Sequence, residues 1–360
     1  MNRFSFAFLL LLAPANLHAA SFDCSKAHTP VEKAICSSPE LSASNDKLAQ
    51  AYRAALVNFP EAVSLVRQSE RNWLLAVEQD CRRQENKIPF AECLTLFWRD
   101  RTEFLGHIVV RMGGVPFFFQ EISLSKPCDE EDLSTGLAKT GPQSNKTESL
   151  DSDDGPCSFA ATWPEAISNA PQWKAWNKAL LDEARRFQAS QDHDDRIPDH
   201  WVHFADATWN SDDSEVSVEL NMVSPTLVVA TIRRSYTYAH PAHHEREFNW
   251  LLKQGRELKQ DNLFQLNSGW EAWMKKRVSQ IIKDYETTEV KADPADAEET
   301  AALAAGVAVE SRNWQVDPKG LSLIFSEDEL PYTDAVTMPE VTLPWSDLKP
   351  YLNPAFEIPR

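Results

Sequence analysis

Three things are missing from this 360-residue chain. Beyond its first twenty residues no stretch is apolar enough for the roughly 20-residue helix that crosses a bilayer, so no membrane span is expected. There is no nucleophile elbow, phosphate-cradling glycine loop or dinucleotide fingerprint, which removes the usual sequence signs of acyl-transfer, nucleotide and hydride chemistry. Positive charge is also short, with 36 basic against 54 acidic side chains. A net charge of −18 repels nucleic acid and anionic lipid and attracts a basic protein. No internal repeat is evident.

What is present begins with a leader. Arg3 supplies a positive start, Phe4 to Ala15 an apolar core, and Leu17-His18-Ala19-Ala20 small residues for cleavage. Residues 1–20 are therefore expected to be a signal peptide, and the mature protein to be periplasmic or secreted. Cys24 follows Ser21-Phe22-Asp23 rather than small apolar residues, which argues against a lipid anchor. The cysteine count is even: Cys24, Cys36, Cys81, Cys93, Cys128 and Cys157. In an exported chain these read as structural disulfides, and their spacing favours local pairs among the possible connectivities.

The charge is unevenly placed. Residues 21–111 hold twelve acidic and twelve basic side chains, so the whole acidic excess lies beyond them. The neutral block reads as helical. Thr29-Pro30-Val31-Glu32 is a capping box with proline at the first helical position. Ser38-Pro39, Pro60 and Ile88-Pro89 open three further helices, with Leu41, Leu48, Tyr52 and Ala55 at helical spacing in the first of them. Cys81 and Cys93 would clip the ends of consecutive antiparallel helices. A block this small has a limited core, so its staples matter.

Phe22-Asp23-Cys24, Thr29-Pro30-Val31-Glu32-Lys33-Ala34-Ile35-Cys36, Pro39-Glu40-Leu41, Tyr52 and Trp73, followed by Cys81, Cys93, Trp98 and Arg101, together resemble the N-terminal domain of the LprI-type lysozyme inhibitors. The resemblance covers roughly residues 22–108. It implies a small disulfide-stapled helical module of the bacterial envelope, with lysozyme as its partner and no catalytic activity.

Gly113-Gly114 breaks the helical pattern. Residues 112–162 are expected to form a linker with an acidic loop tied at Cys128 and Cys157. Asp151, Asp153 and Gly155 do not complete a calcium loop, because Thr162 stands where the bidentate glutamate belongs. Residues 163–360 read as α+β with an antiparallel sheet, giving α plus (α+β) for the whole chain. Gln172 to Phe187 is helical in pattern; Val216 to Met222, Val228 to Ile232 and Phe248 to Leu252 alternate as half-buried strands. Ser268-Gly269-Trp270-Glu271 reads as a capping box before a helix to Tyr285, Asp293 to Glu299 as an acidic connection, and Trp314 to Phe325 as a hairpin.

Tyr236-Thr237-Tyr238, Ala242-His243, Phe248-Asn249, Asp261-Asn262-Leu263-Phe264, Gly320 to Phe325, Pro331-Tyr332 and Val341-Thr342-Leu343-Pro344-Trp345 are similar to the extracellular domain of the RsiV anti-sigma factor, a domain also found in PdaC-type peptidoglycan deacetylases. Coverage is roughly 165–355. His240-Pro241-Ala242-His243-His244 replaces the glycine-rich run usual in that family. RsiV binds lysozyme through this domain, so both resemblances imply the same partner.

Two rival chemistries remain. His240, His243 and His244 with Glu245 offer zinc-ligand types for a hydrolase, but Pro241 opposes the helix that would gather two histidines on one face. Peptidoglycan is the alternative partner, although most of the twelve tryptophans sit at core spacing rather than in a glycan-stacking array. The leading expectation is a binding protein without catalytic residues, metal or cofactor that engages lysozyme or a similar basic muramidase. Its candidate contacts are Asp129, Glu130, Glu131, Asp132, Asp151, Asp153 and Asp154, with His243.

The even cysteine count generates a first prediction. Denatured, unreduced mature protein should show no reactive thiol, and reduction should melt the helices of residues 21–111. Thiol titration with circular dichroism measures both, and two or more titratable thiols per chain would refute it.

Overall fold

The computed structural model describes residues 23–83, 87–126, 157–189, 213–237, 241–326, 329–330, 339 and 341–359. The chain divides into two compact units, Met1–Val66 with Leu74–Gly106, and Arg67–Trp73 with His107–Arg360.

The first unit is helical, and its first two helices begin where the sequence supplies a cap. After a 3-10 turn at Cys24–Lys26 come α1 (Pro30–Ser37), α2 (Pro39–Asn58), α3 (Val63–Arg83) and α4 (Phe90–Gly106). The Thr29 hydroxyl accepts from the Glu32 amide at 3.1 Å, while the Glu32 carboxylate accepts from the Thr29 and His28 amides at 2.9 and 2.8 Å. Those two backbone donors favour the ionised form and lower the Glu32 pKa. Ser38 caps α2 by accepting from the Leu41 amide at 3.2 Å. Leu41, Leu48 and Ala55 of α2 and Leu94, Trp98 and Leu105 of α4 are buried. Disulfides join Cys24 to Cys36 and Cys81 to Cys93, with Cα separations of 5.7 and 5.6 Å. Loops of this length lose enough unfolded-chain entropy to contribute roughly 3 kcal/mol per bridge.

The second unit is built on a seven-stranded sheet whose strands lie in chain order. They are β1 (Val109–Met112), β2 (Val115–Lys126), β3 (Cys157–Ala166), β4 (Asp213–Val223), β5 (Leu227–Thr237), β6 (Pro241–Leu251) and β7 (Arg256–Glu257). All neighbours are antiparallel except β3 and β4, between which the chain passes through α5 (Pro171–Ala189). It follows that the β1–β2, β4–β5 and β6–β7 turns share one end of the sheet. Two residues of the stretch expected as a linker, Gly113 and Gly114, form the first of these turns with φ of 57° and 78°. Positive φ at both positions matches the twist of a two-residue hairpin. Val115–Lys126 and Cys157–Ala166 of that same stretch are sheet strands. The Cys128 half of the expected tie lies outside the described residues; the Cys157 backbone pairs with Lys126.

Each face of the sheet carries its own core. On one side Trp173, Trp176, Leu180 and Ala184 of α5 pack on Phe117, Val216, Val228, Ala230, Ile232 and Phe248. On the other lie α6 (Gln260–Leu263), α7 (Trp270–Tyr285), α8 (Pro294–Val307), a three-stranded sheet of β8 (Trp314–Val316), β9 (Gly320–Leu323) and β10 (Val341–Pro344), and α9 (Trp345–Leu348). Leu227, Val229 and Leu251 meet Met274, Val278, Ala301, Trp314 and Leu321 there. The central strand β5 is therefore buried on both faces, which is why Leu227-Val228-Val229-Ala230 runs apolar without interruption.

Two caps differ from expectation. α7 begins at Gly269, whose φ of 80° an L-residue adopts only with strain, and the Ser268 hydroxyl donates to the Gln265 carbonyl instead of capping the helix. The Asp293 carboxylate accepts from the Ala295 amide at 2.9 Å and starts α8, so the acidic connection is a helix N-terminus.

Gly320 faces β10 so closely that a Cβ would sit 2.3 Å from the Leu343 carbonyl oxygen. Gly320→Ala should therefore destabilise the second unit by about 1–3 kcal/mol, the usual cost of overpacking. Gly306→Ala, in the exposed face of α8 with open space at the Cβ, should stabilise by up to ~1 kcal/mol. Urea unfolding of both variants checks the opposite signs.

Candidate functional site

In the first unit, polar groups inside the helical core fix how the helices meet. The Trp98 indole N–H donates to the Asn45 side-chain oxygen at 3.2 Å, joining α4 to α2. Arg101 is only 2 % exposed, with its guanidinium carbon 5.0 Å from the centre of the Phe104 ring. Trp98 and Arg101 are thus interior scaffold, and the exposed large apolar side chains of this unit are Val57, Leu74, Leu75 and Leu96.

In the second unit the sequence-expected contacts are placed as follows. Asp129, Glu130, Glu131, Asp132, Asp151, Asp153 and Asp154 lie outside the described residues, as does His240. The His243 backbone pairs with Ser235 in the β5–β6 ladder, and its side chain is outside the described set. His244 is buried with Nδ1 3.4 Å from the Ser326 hydroxyl. Its neighbour Glu245 points to the other face of the strand, where it bonds the Arg233 guanidinium at 2.5 Å. That contact raises the Arg233 pKa. Among the described residues no three His, Cys, Asp or Glu side chains are grouped to hold a metal.

The structure draws attention instead to Glu247, which sequence patterning left unremarked. It projects from β6 toward β8 and is fully buried. The Thr231 hydroxyl donates to its Oε1 at 2.5 Å, and the same hydroxyl accepts from the Asn221 side-chain amide at 2.6 Å. Asn221 occupies the register shift between Leu220 and Met222. The other oxygen, Oε2, has no hydrogen-bond partner. Burial pushes the Glu247 pKa up to about 8 against the opposing Thr231 bond, with Glu245 and Glu219 adding to the rise and Arg233 opposing it. A pKa of about 8 favours the neutral form of the acid at neutral pH, which spares the fold a buried unpaired charge. Two residues on, Asn249 donates from its side-chain amide to the Trp314 carbonyl at 2.5 Å, tying β6 to β8.

On the opposite face a second polar clamp holds α5. The buried Glu183 carboxylate receives the Arg246 guanidinium at 2.5 Å and the Arg186 guanidinium at 2.7 Å, and Arg246 also reaches Glu257 at 3.3 Å. Both clusters join elements of the fold, and neither lines the clefts at the turn end of the sheet. A perturbed carboxyl is often a catalytic acid; Glu247 lies wholly inside the described fold, away from those clefts.

The comparisons with known proteins place the first unit most directly. Residues 23–105 match the family model described as lysozyme inhibitor LprI. No curated protein matches the chain. Two solved structures are similar: a DUF3298 family member from Bacteroides fragilis NCTC 9343, 12% identical over 68% of this chain and 96% of its own, TM-score 0.38; and a DUF3298 family protein from Pseudomonas aeruginosa PAO1, 12% identical over 68% and 98%, TM-score 0.38.

Glu247 makes a pH-dependence that can be measured. Its folded pKa lies above the unfolded value, so the unfolded chain releases the proton first as pH rises. The stabilisation is whole below about pH 4.5 and is lost as pH climbs to about 8. Glu247→Gln, which cannot ionise, should gain stability relative to the parent by about 3–5 kcal/mol between pH 5 and pH 9. Urea titrations at the two pH values test this, and parallel curves would refute it.

Proposed function

We propose that this chain is an exported protein that binds a basic, lysozyme-like muramidase through its helical first unit and inhibits it without catalysing a reaction. The observation that carries the proposal is the match of residues 23–105 to the lysozyme inhibitor LprI model. Three others support it. The leader-like residues 1–20 and the two disulfides of the first unit suit an oxidising envelope compartment. The acidic excess beyond residue 111 complements a basic enzyme. The sequence resemblance of residues 165–355 to the extracellular domain of RsiV supports the same kind of partner for the second unit.

The two units contribute differently in this reading. A neutral, stapled helical unit offers a pre-formed contact surface whose side chains lose little further freedom on docking. The acidic remainder raises the encounter rate over a distance set by the Debye length, ~10 Å at 0.1 M salt and ~3 Å at 1 M. The runs Asp129-Glu130-Glu131-Asp132 and Asp151 to Asp154 are assigned to that steering and to occluding the enzyme's glycan cleft.

Surface-resonance kinetics with immobilised c-type lysozyme test the proposal. The oxidised mature protein should bind, with an association rate that falls as salt rises. Replacing Asp129, Glu130, Glu131 and Asp132 by asparagine and glutamine should lower the association rate more than it raises dissociation. Absence of binding at low salt would end the muramidase reading.

A further inference from the structure

The end of the seven-stranded sheet that gathers its three hairpin turns is hollow. A cavity of about 320 Å³ lies between the Ser224–Thr226 turn, the Lys253–Arg256 turn, the start of α6 and the C-terminal segment at Asn353 to Glu357. Two clefts of about 650 and 550 Å³ continue it. One runs beneath Phe356 to Pro359 and shares Thr226, Phe356 and Glu357 with the cavity. The other runs past Gly113 and Trp173 and shares Lys253. The walls are tied by short bonds: the Leu252 amide to the Thr226 carbonyl at 2.9 Å, the Asn353 amide to the Leu263 carbonyl at 2.8 Å, and the Asn353 side-chain amide to the Asp261 carbonyl at 2.9 Å. The site is pre-formed, and its volume falls within the ~300–1,000 Å³ of small-ligand sites.

Its chemistry is two-signed. Leu227 and Leu251 supply a buried apolar floor. Above it stand Lys253 and Arg256 from one turn, Asp261 from α6 and Glu357 from the C-terminal segment, all exposed. The Arg256 Nε donates to the Gln254 side-chain oxygen at 3.0 Å, which steadies the guanidinium while leaving its outer N–H groups available. None of the four charged groups is in an ion pair among the described residues, although cations and anions line one cavity. Lone surface charges carry little meaning by themselves. Here three separate segments bring opposite charges to the rim of one apolar-floored cavity without pairing them. That arrangement suits a ligand with both signs of charge, whereas a neutral glycan would ask for hydroxyl partners and broad aromatic faces.

We propose that this cleft binds short peptides bearing a free carboxylate and a free ammonium group, the carboxylate held by Lys253 and Arg256 and the ammonium by Asp261 and Glu357. The guanidinium fork accepts a carboxylate in a bidentate manner. Apolar side chains of the peptide rest on Leu227, Leu251 and Phe356, and the adjoining clefts accommodate a chain longer than one residue. The site lies within the second unit, and the proposal does not depend on the muramidase contact assigned to the first.

Isothermal titration of the mature full-length protein tests this, with free-ended tripeptides of alanine, lysine and glutamate as probes. The same peptides acetylated and amidated, and an N-acetylglucosamine oligomer, serve as comparisons. Free-ended peptides should bind at about 1 mM or tighter. Capping both ends should weaken binding at least tenfold. Lys253→Met should weaken the free-ended peptide about tenfold and leave its C-amidated form unchanged. Asp261→Asn should do the same for the free and N-acetylated forms, and both variants are exposed substitutions whose folding circular dichroism verifies. Equal binding of capped and free peptides, binding of the glycan alone, or no binding of any free-ended peptide at about 5 mM would each overturn the proposal.

Discussion

The second unit is organised around Trp314. Its ring is fully buried and stands edge-on to Phe264 and Trp270, with centroids 5.4 and 5.9 Å away. Its indole N–H donates to the Ala308 carbonyl at 2.8 Å, which fixes the end of α8. Its own carbonyl accepts from Asn249, which fixes β6. One residue thus joins the large sheet, the small sheet and the helices that cover them. A buried carbonyl or indole left without its partner costs ~1–3 kcal/mol, so these two bonds define one arrangement among many with similar apolar burial. Once β8 is held against β6, the polar face of β6 is closed off from water. Glu247 and Asn249 must then find partners internally: Thr231 and the Trp314 carbonyl supply one each, and burial of the remaining carboxyl oxygen favours the neutral acid.

That closure explains what the sequence could and could not tell. The alternation at Phe248, Trp250 and Leu252 correctly indicates a strand, and it invites the inference that Glu245, Glu247 and Asn249 face solvent. A period of two says which residues share a face; it does not say whether the second face is covered. Covering comes from β8, more than sixty residues later in the chain. Val115–Lys126 has the same difficulty: its ladder partner, Cys157–Ala166, lies beyond a polar stretch, so the pairing is non-local and the segment looks like a connection. Local signals fared better. The capping box at Thr29–Glu32, the Ser38 cap and the hairpin across Asp317 to Gly320 are set by neighbouring residues and stand where their sequence places them. Ser268 and Asp293 show the limit even of local rules, since a left-handed Gly269 displaced one expected cap and Asp293 took a capping role instead.

The two units meet the cost of ordering a chain by different means. In the second, Leu227 to Ala230 of β5 are buried on both faces of the sheet, and each buried Val, Leu or Ile contributes ~1.5–3 kcal/mol. In the first, all four helices contribute to the described core, with Ile35, Leu48, Val77 and Leu94 among its buried residues, and two twelve-residue disulfide spans supplement it. A unit stabilised through its unfolded state does not need a large interior, and more of its surface is left for contact. The residues that make the LprI resemblance recognisable are mostly this scaffold: cysteines, caps, and the buried Trp98 and Arg101. They carry the resemblance through the interior of the unit rather than through its exposed side chains.

Strand direction gives the large sheet of the second unit two distinct ends. The turns at Gly113-Gly114, Ser224 to Thr226 and Lys253 to Gly255 share one end of the sheet, where cations and anions rim an apolar-floored cleft. Lys126 and Cys157 end their strands at the opposite end, and there the chain enters the stretch that contains both acidic runs. An antiparallel sheet offers two such ends held about one strand length apart by a rigid core, and loops at either end vary without disturbing it. Long-range attraction of a basic macromolecule and short-range recognition of a small zwitterion make opposite demands on local charge, the first for a uniform sign and the second for a balance of signs. The two ends of an eleven- to twelve-residue strand lie ~35–40 Å apart, several Debye lengths at physiological salt. Charge gathered at one end of such a sheet is therefore screened from charge anchored at the other.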